Sequence, residues 1–301
     1  MKWKSIYSVF IGTIWLFTIS GFAVADDGLA LMKVEHGARP AGMGAAFVSV
    51  TDDPNGVLYN PASIVSLEGF AASFGHTSYW ENVRLESGFF AKSLSRRVFM
   101  HGGIRFAVID EIEQRIFPTE EPESFFDAHD ISFKSGLSYR LSSKVSVGLA
   151  AGWFVEKIEA WRGSAFNVDL GVLATPKDNI SLGASITNLG GDFHLSKSGA
   201  EGSREISLPI TYTVGGSYRY DRYLGAADLV ISDDEAHLHL GAEAALHHLF
   251  SLRSGYMINY DSKNFTAGAS FTKRNISVDY AFVPYTNDLG TSHLFNLTVR
   301  L

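Results

Sequence analysis

The chain contains no cysteine. That excludes a disulfide framework, a thiolate nucleophile and any cysteine-ligated zinc or iron–sulfur centre. Proline is sparse, with 8 in 301 residues, and only 19% of the residues are charged. A single apolar run approaches the roughly 20 residues that a membrane helix needs, which excludes a multispanning helical membrane protein. The formal charge of −7 argues against a polyanion binder, because nucleic-acid affinity rests on Lys and Arg neutralising phosphates; no nucleic-acid partner is expected. Glycine and aromatics are abundant instead, with 29 Gly, 22 Phe and 12 Tyr. Very small and very large side chains together fit a sheet whose positions alternate between the two.

The one long apolar run is at the N-terminus. Lys2 and Lys4 give a positive start, residues 6–22 are almost unbroken apolar, and Ala23-Val24-Ala25 is a small-x-small cleavage pattern. Residues 1–25 therefore read as a signal peptide cleaved after Ala25, and the rest of the chain as exported.

Residues 26–67 are rich in Gly, Ala, Pro and Asn without sustained periodicity, whereas residues 68–301 are a succession of short segments with bulky apolar residues at every second position. Phe166, Val168, Leu170 and Val172 alternate with Asn167, Asp169 and Gly171; Ile276, Val278, Tyr280 and Phe282 alternate with Ser277, Asp279 and Ala281. Fourteen such runs can be marked, centred near residues 73, 88, 103, 135, 150, 169, 183, 214, 227, 241, 255, 268, 280 and 297. The even count suits an outer-membrane barrel with both ends in the periplasm. Connections after even-numbered runs are short, and the two long ones, residues 110–127 and 188–205, follow odd-numbered runs. A soluble sandwich would carry abundant charge on its second face. Here that face holds Gly, Ser and Thr with isolated charges, namely Arg105, Lys134, Arg140, Asp169, Arg219, Glu243, Arg253 and Asp279, which suits a narrow lumen. Tyr79, Trp80, Trp153, Trp161, Tyr218, Tyr220, Tyr223, Tyr260 and Tyr285 lie near segment ends, where an interfacial girdle is expected. The expected fold is all-β: a transmembrane antiparallel barrel of about 14 strands over residues 68–301, set among the lipids of a Gram-negative outer membrane.

Residues 37–48, Gly-Ala-Arg-Pro-Ala-Gly-Met-Gly-Ala-Ala-Phe-Val, are followed by Asp52-Asp53 and then by Tyr59-Asn60-Pro61-Ala62. This order and spacing resembles the N-terminal signature of the PorV/PorQ family, within the wider group similar to the FadL long-chain fatty-acid channels. Thr187-Asn188-Leu189-Gly190 adds weaker support; Pro40 and Ser63-Ile64 depart from the family pattern. The resemblance implies a 14-stranded barrel with residues 26–67 as a plug or hatch in the lumen. The residues themselves suit that role: Gly37, Gly42 and Gly44 permit close backbone approach, Asn60-Pro61 sets a turn, and Arg39, Asp52 and Asp53 can pair with the sparse lumenal charges. These eight are the candidate site residues, structural or ligand-gating.

No enzymatic chemistry is indicated. Gly42-x-Gly44 lacks the third glycine and the leading strand of a dinucleotide site, and no Gly-x-Ser-x-Gly elbow occurs. His237 and His239 share a strand face with Glu243 further along, yet lumenal polar residues are common, and no metal or other cofactor is expected. The acidic run at 110–127 reads as a solvated external loop. Two functions are compatible with the resemblance: passive transport of hydrophobic small molecules, or a type IX secretion component that binds cargo or machinery proteins through the external loops.

Overall fold

A computed structural model describes residues 30–79, 83–118, 120–197, 203–287 and 289–301. The expected signal peptide lies outside these residues. The alternating runs form strands β1 (Phe70–Ser78), β2 (Val83–Ser93), β3 (Val98–Gln114), β4 (Ser124–Arg140), β5 (Val145–Ile158), β6 (Trp161–Lys177) and β7 (Ile180–Gly190). A short hairpin follows, β8 (Phe193–Ser196) and β9 (Ser203–Ile206). The remainder are β10 (Thr211–Tyr220), β11 (Tyr223–Ser232), β12 (Glu235–His247), β13 (Phe250–Ile258), β14 (Phe265–Lys273), β15 (Ile276–Pro284) and β16 (Thr291–Arg300).

Strands β1 to β7 and β10 to β16 pair antiparallel with their neighbours, β7 joins β10, and β1 closes the ring on β16 from Ala71↔Arg300 to Ser78↔His293. The result is a closed 14-stranded barrel, and every one of the fourteen marked runs lies in one of its strands. Closure satisfies the backbone without water, the condition for a sheet that crosses a bilayer. Among the described residues no helix is long and apolar enough to cross a membrane.

The two faces invert the arrangement of a soluble protein. Phe74, Leu137, Leu149, Phe166, Val214 and Leu252 are exposed on the outside, while Ser73, Ser132, Asn167, Asp169, Asp228 and Thr298 are buried inside. Apolar side chains face lipid and polar ones face the lumen, as the alternation anticipates.

Three local expectations are corrected. Residues 110–114 and 124–127, half of this stretch, are strand: β3 and β4 continue past an irregularity between Ile109 and Ile112 and still pair Ile112↔Phe126 and Gln114↔Ser124. Acidic side chains do not interrupt a ladder whose hydrogen bonds are backbone to backbone. Residues 188–205 hold the β8–β9 hairpin, which joins the wall through Arg162↔Ser196. The aromatic girdle is smaller than expected. Trp153, Tyr218, Tyr220 and Tyr223 are exposed outside, but Tyr79 is buried and Tyr260 lines an internal cavity. Trp80 lies outside the described residues.

Residues 30–69 fill the lumen. They form two short helices, α1 (Ala30–Lys33) and α2 (Ala38–Gly42), and two 3-10 turns, Pro54–Leu58 and Ser63–Ser66. Their backbone lies against inward-facing glycines on five strands, Gly148 and Gly183 on β5 and β7 and Gly241, Gly255 and Gly268 on β12, β13 and β14, and the side chains of Asn60 and Pro61 lie against Gly171 on β6. A side chain at any of them would collide with or crowd this segment. The small lumenal residues of the sequence are therefore the complement of a backbone threaded through the barrel.

Candidate lumenal site

Helix α2 starts at Gly37, whose carbonyl accepts the Ala41 N–H at 3.0 Å. Gly42 touches the Gly268 backbone, to which a Cβ would lie 3.1 Å away. Gly44 is hemmed in by the backbone of the wall. Its φ is +62°, and a Cβ there would sit 2.9 Å from both the Leu240 carbonyl oxygen and the Tyr256 nitrogen. Both the left-handed backbone and the absent side chain are required at this position.

Arg39 joins this segment to the wall. Its Nε and Nη2 donate to Glu243 of β12 at 2.8 and 2.9 Å, and its Nη1 donates to Asp52 at 2.6 Å and lies 3.6 Å from Asp53. Glu243 also accepts from Arg253 of β13 at 2.6 Å, and Arg253 reaches Asp279 of β15 at 2.9 Å. Half-exposed Asp52 extends the network to Arg219 of β10 at 3.2 Å. The expected pairing of Arg39 and Asp52 with lumenal charges is therefore present, as one chain of alternating signs across four strands. Asp53 acts within its own segment, where its Oδ1 accepts the Asn55 N–H at 2.9 Å and caps the first 3-10 turn.

Asn60 and Pro61 form the expected turn. The Ser63 N–H donates to the Asn60 carbonyl at 2.9 Å, and Asn60 Oδ1 accepts from the Ala62 N–H at 2.9 Å. Asn60 Nδ2 bridges outward to the carbonyls of Val48 at 2.8 Å and Val172 at 3.0 Å, while the Pro61 carbonyl accepts from Ser138. All eight candidate residues thus belong to one lumenal segment, but only Arg39 and Asp52 make charge contacts with the wall.

Several wall residues of equal weight were not singled out from sequence. Asp228 Oδ2 accepts the N–H groups of Phe47 and Val48 at 2.6 and 2.8 Å, Asn296 Oδ1 accepts from Ala38 at 2.6 Å, and Thr266 Oγ1 accepts from Gly44 at 3.0 Å. Their one sequence signal is a polar side chain on the lumenal register. Charge-assisted bonds to backbone donors are about twice as strong as neutral ones, so Asp228→Asn is expected to expose the amides of residues 47 and 48, which faster hydrogen exchange at these two positions would register.

Above α2, on the side of the long strand connections, lies a cavity of about 430 Å³, within the range of small-ligand sites. Met32, Val34, Leu58 and Val230 give it apolar wall, and Glu35, His36, Tyr59, Arg105, Lys134 and Lys263 give it polar groups. Lys134 is neutralised by Asp169 at 2.6 Å, and Lys263 is paired with Glu35. Arg105 is different: it is 4% exposed, it bonds His36 Nε2 and the Ser132 hydroxyl, and no described carboxylate lies within salt-bridge distance. His36 Nδ1 and His239 Nδ1 are buried without a partner. His237 Nδ1 meets the Asn259 carbonyl and His239 Nε2 meets the Tyr260 hydroxyl, each at 2.8 Å, while Glu243 is held by two guanidinium groups. Among the described residues no cluster of three His, Cys, Asp or Glu could hold a metal.

Burial holds His36 well below the usual imidazole range, with Arg105 and Lys134 adding repulsion. Burial alone would raise Glu35, but Lys263 beside it holds its carboxyl below the usual value. His36 is therefore neutral in place, and a detached His36 would take up a proton below about pH 6.5. Acidification through that value favours release of residues 30–36. Hydrogen exchange of this segment, corrected for intrinsic rates, is expected to rise between about pH 7.5 and about pH 5.5 in the native chain, the window around an unperturbed imidazole, and to lose most of that rise in His36→Gln.

No protein-family model matches the chain, and no curated protein sequence matches it. Solved structures do. The toluene transporter TbuX of Ralstonia pickettii aligns with a TM-score of 0.65 at 13% identity, over 88% of this chain and 98% of that one. The fold is that of the hydrocarbon-channel barrels. The monoaromatic hydrocarbon channel CymD gives 0.63 at 13% identity, covering 88% and 97% of the two chains. A FadL homologue of Pseudomonas aeruginosa gives 0.55 at 11% identity, covering 86% and 95%. At such identities the likeness is one of architecture, and it spans nearly the full length of each FadL-like barrel.

Proposed function

We propose that the protein is a passive channel for hydrophobic small molecules in a Gram-negative outer membrane, with residues 26–67 as its hatch and no catalytic step. The observation that carries this reading is the partition of the lumen: chain fills it through the middle and the short-turn end, and a ligand-sized cavity lies at the other. The architecture shared with the toluene and monoaromatic hydrocarbon channels supports it. A ligand entering from the long-loop side would meet Met32, Val34, Leu58 and Val230 with its apolar part. A polar head, where it has one, would meet Arg105 and His36. Passage onward requires the lumenal segment to move, because its backbone touches the wall glycines.

Uptake and retention measurements decide it. Proteoliposomes containing the barrel should accumulate a fluorescent amphipathic acid or a monoaromatic hydrocarbon faster than empty ones, and the purified protein should carry extractable hydrophobic compounds. Absence of both overturns the reading. Arg105→Gln is expected to weaken binding of ligands with an acidic head roughly tenfold or more, the loss of a charged hydrogen bond, while leaving neutral hydrocarbons nearly unchanged; parallel titrations check this.

The finer placement in the PorV/PorQ family rests on the motif at residues 37–62. Its secretion role would use protein contacts at the long-strand end, where Ile116, Phe117 and Phe125 are exposed. Loss of secreted cargo on deletion, with hydrocarbon uptake intact, would favour that second reading.

A further inference from the structure

The net charge of −7 hides a division between the two ends of the barrel. Exposed acids crowd the long-strand end, with Glu111, Glu113 and Asp127 on β3 and β4 and Asp233, Asp234 and Glu235 between and on β11 and β12. The short-turn end is basic. Arg96 and Arg97 lie in the β2–β3 turn, Lys144 in β4–β5, Lys177 beside β6–β7, Arg222 in β10–β11, and Lys273 and Arg274 at β14–β15. All seven are exposed, and none has a described carboxylate within salt-bridge distance. The exposed acids at this end, Glu68, Asp178 and Asp221, make no such pair with a described residue either.

Two features decide what these cations face. They are spread around the circumference, in or beside five of the six short turns, whereas a docked protein covers one side. They also border the lipid-facing band. Leu94 and Leu141 are exposed in the same turns, and the Arg222 guanidinium lies 5.3 Å from the Tyr223 ring in the aromatic belt. Long basic side chains at this level lay their stems on apolar surface and present their charge to the headgroup layer.

We propose that this ring selects anionic phospholipid: the barrel gathers negatively charged diacylglycerol phospholipids of the periplasmic leaflet around its base through unpaired Arg and Lys. This rests on the reading that the barrel spans the outer membrane with its short turns in the periplasm.

The test is lipid selectivity of the full chain in nanodiscs of phosphatidylcholine with a minor share of phosphatidylglycerol, read by native mass spectrometry of retained lipid. The expected result is phosphatidylglycerol enriched roughly threefold or more over its share, falling toward its share in the quadruple variant R96Q, R97Q, K273Q and R274Q and at high salt. A control at the other end, E111Q with E113Q, should behave as the native chain. Equal retention of the two lipids by the native chain, or enrichment that survives in the quadruple variant, overturns the proposal. Failure of the underlying membrane reading is distinguished by gel mobility: a chain that runs identically with and without boiling and does not enter nanodiscs is not a membrane barrel.

Discussion

Replacing Arg39 by alanine is expected to turn a silent barrel into one that passes ions. Arg39 is the only described cation of residues 30–67 that touches both the wall, through Glu243, and its own segment, through Asp52. Its guanidinium also lies 5.6 Å from the Phe47 ring. Removing one partner of a buried pair costs about 3–5 kcal/mol, because it leaves charge without compensation. Glu243 keeps Arg253 and Asp52 keeps Arg219, so the wall tolerates the change and the cost falls on the hatch. The backbone hydrogen bonds that join the strands do not involve Arg39, so the heat-dependent gel shift should persist while planar-bilayer recordings show frequent openings. Arg39→Lys should open less often than alanine, yet more than the native chain, since an ammonium cannot hold Glu243 in two parallel bonds. A barrel that stays silent with Arg39→Ala would show that the lumen is sealed without this network.

A larger effect is expected from side chains on the wall glycines. A Cβ at Gly255 would lie 2.0 Å from the Gly44 nitrogen, and one at Gly148 2.3 Å from the Pro61 carbonyl carbon. Both obstacles are backbone, so relief by rotation of a side chain is not available, and the cost exceeds the ~1–3 kcal/mol of ordinary overpacking. Gly255→Val and Gly148→Val should therefore expel the lumenal segment, making residues 37–66 sensitive to protease in barrels that still show the gel shift. Gly225, also on a strand but with nothing within 4 Å of its would-be Cβ, provides the comparison: Gly225→Val should leave the segment protected. Protection retained at Gly255→Val would mean that the backbone does not run against β13.

The fourteen strands were legible because lipid and lumen impose opposite demands on alternate residues, and a closed ladder makes that demand along nearly the whole of residues 70–300. The close approaches at Gly42 and Gly44 and the turn at Asn60-Pro61 were legible because they are local backbone requirements. What lay beyond strand ends was not. Tyr79 and Tyr260 read as girdle residues, but Tyr79 continues the inward set of Ala71, Ser73 and Thr77 and its N–H still pairs with the Val83 carbonyl, whereas Asn259, with a φ of +70°, turns the chain so that Tyr260 meets His237 and His239 in the cavity. The acidic run at 110–127 read as loop because charge suggests solvent, yet outside the bilayer a charged strand pairs as well as an apolar one.

Asp228 and Asn296 show the same limit inside the barrel. In sequence each is one more polar residue on the lumenal face, alike to Ser217 or Thr298. Their weight comes from which backbone amides of a segment some 180 to 260 residues away arrive opposite them. By itself the sequence determined the class of fold, the number of barrel strands and which residues of each strand face lipid, since periodicity is a property of neighbours along the chain. Only the tertiary structure decided the ion network through Arg39, the cavity beside Arg105 and the basic ring at the short turns. Those depend on how strands distant in sequence are brought side by side when the sheet closes.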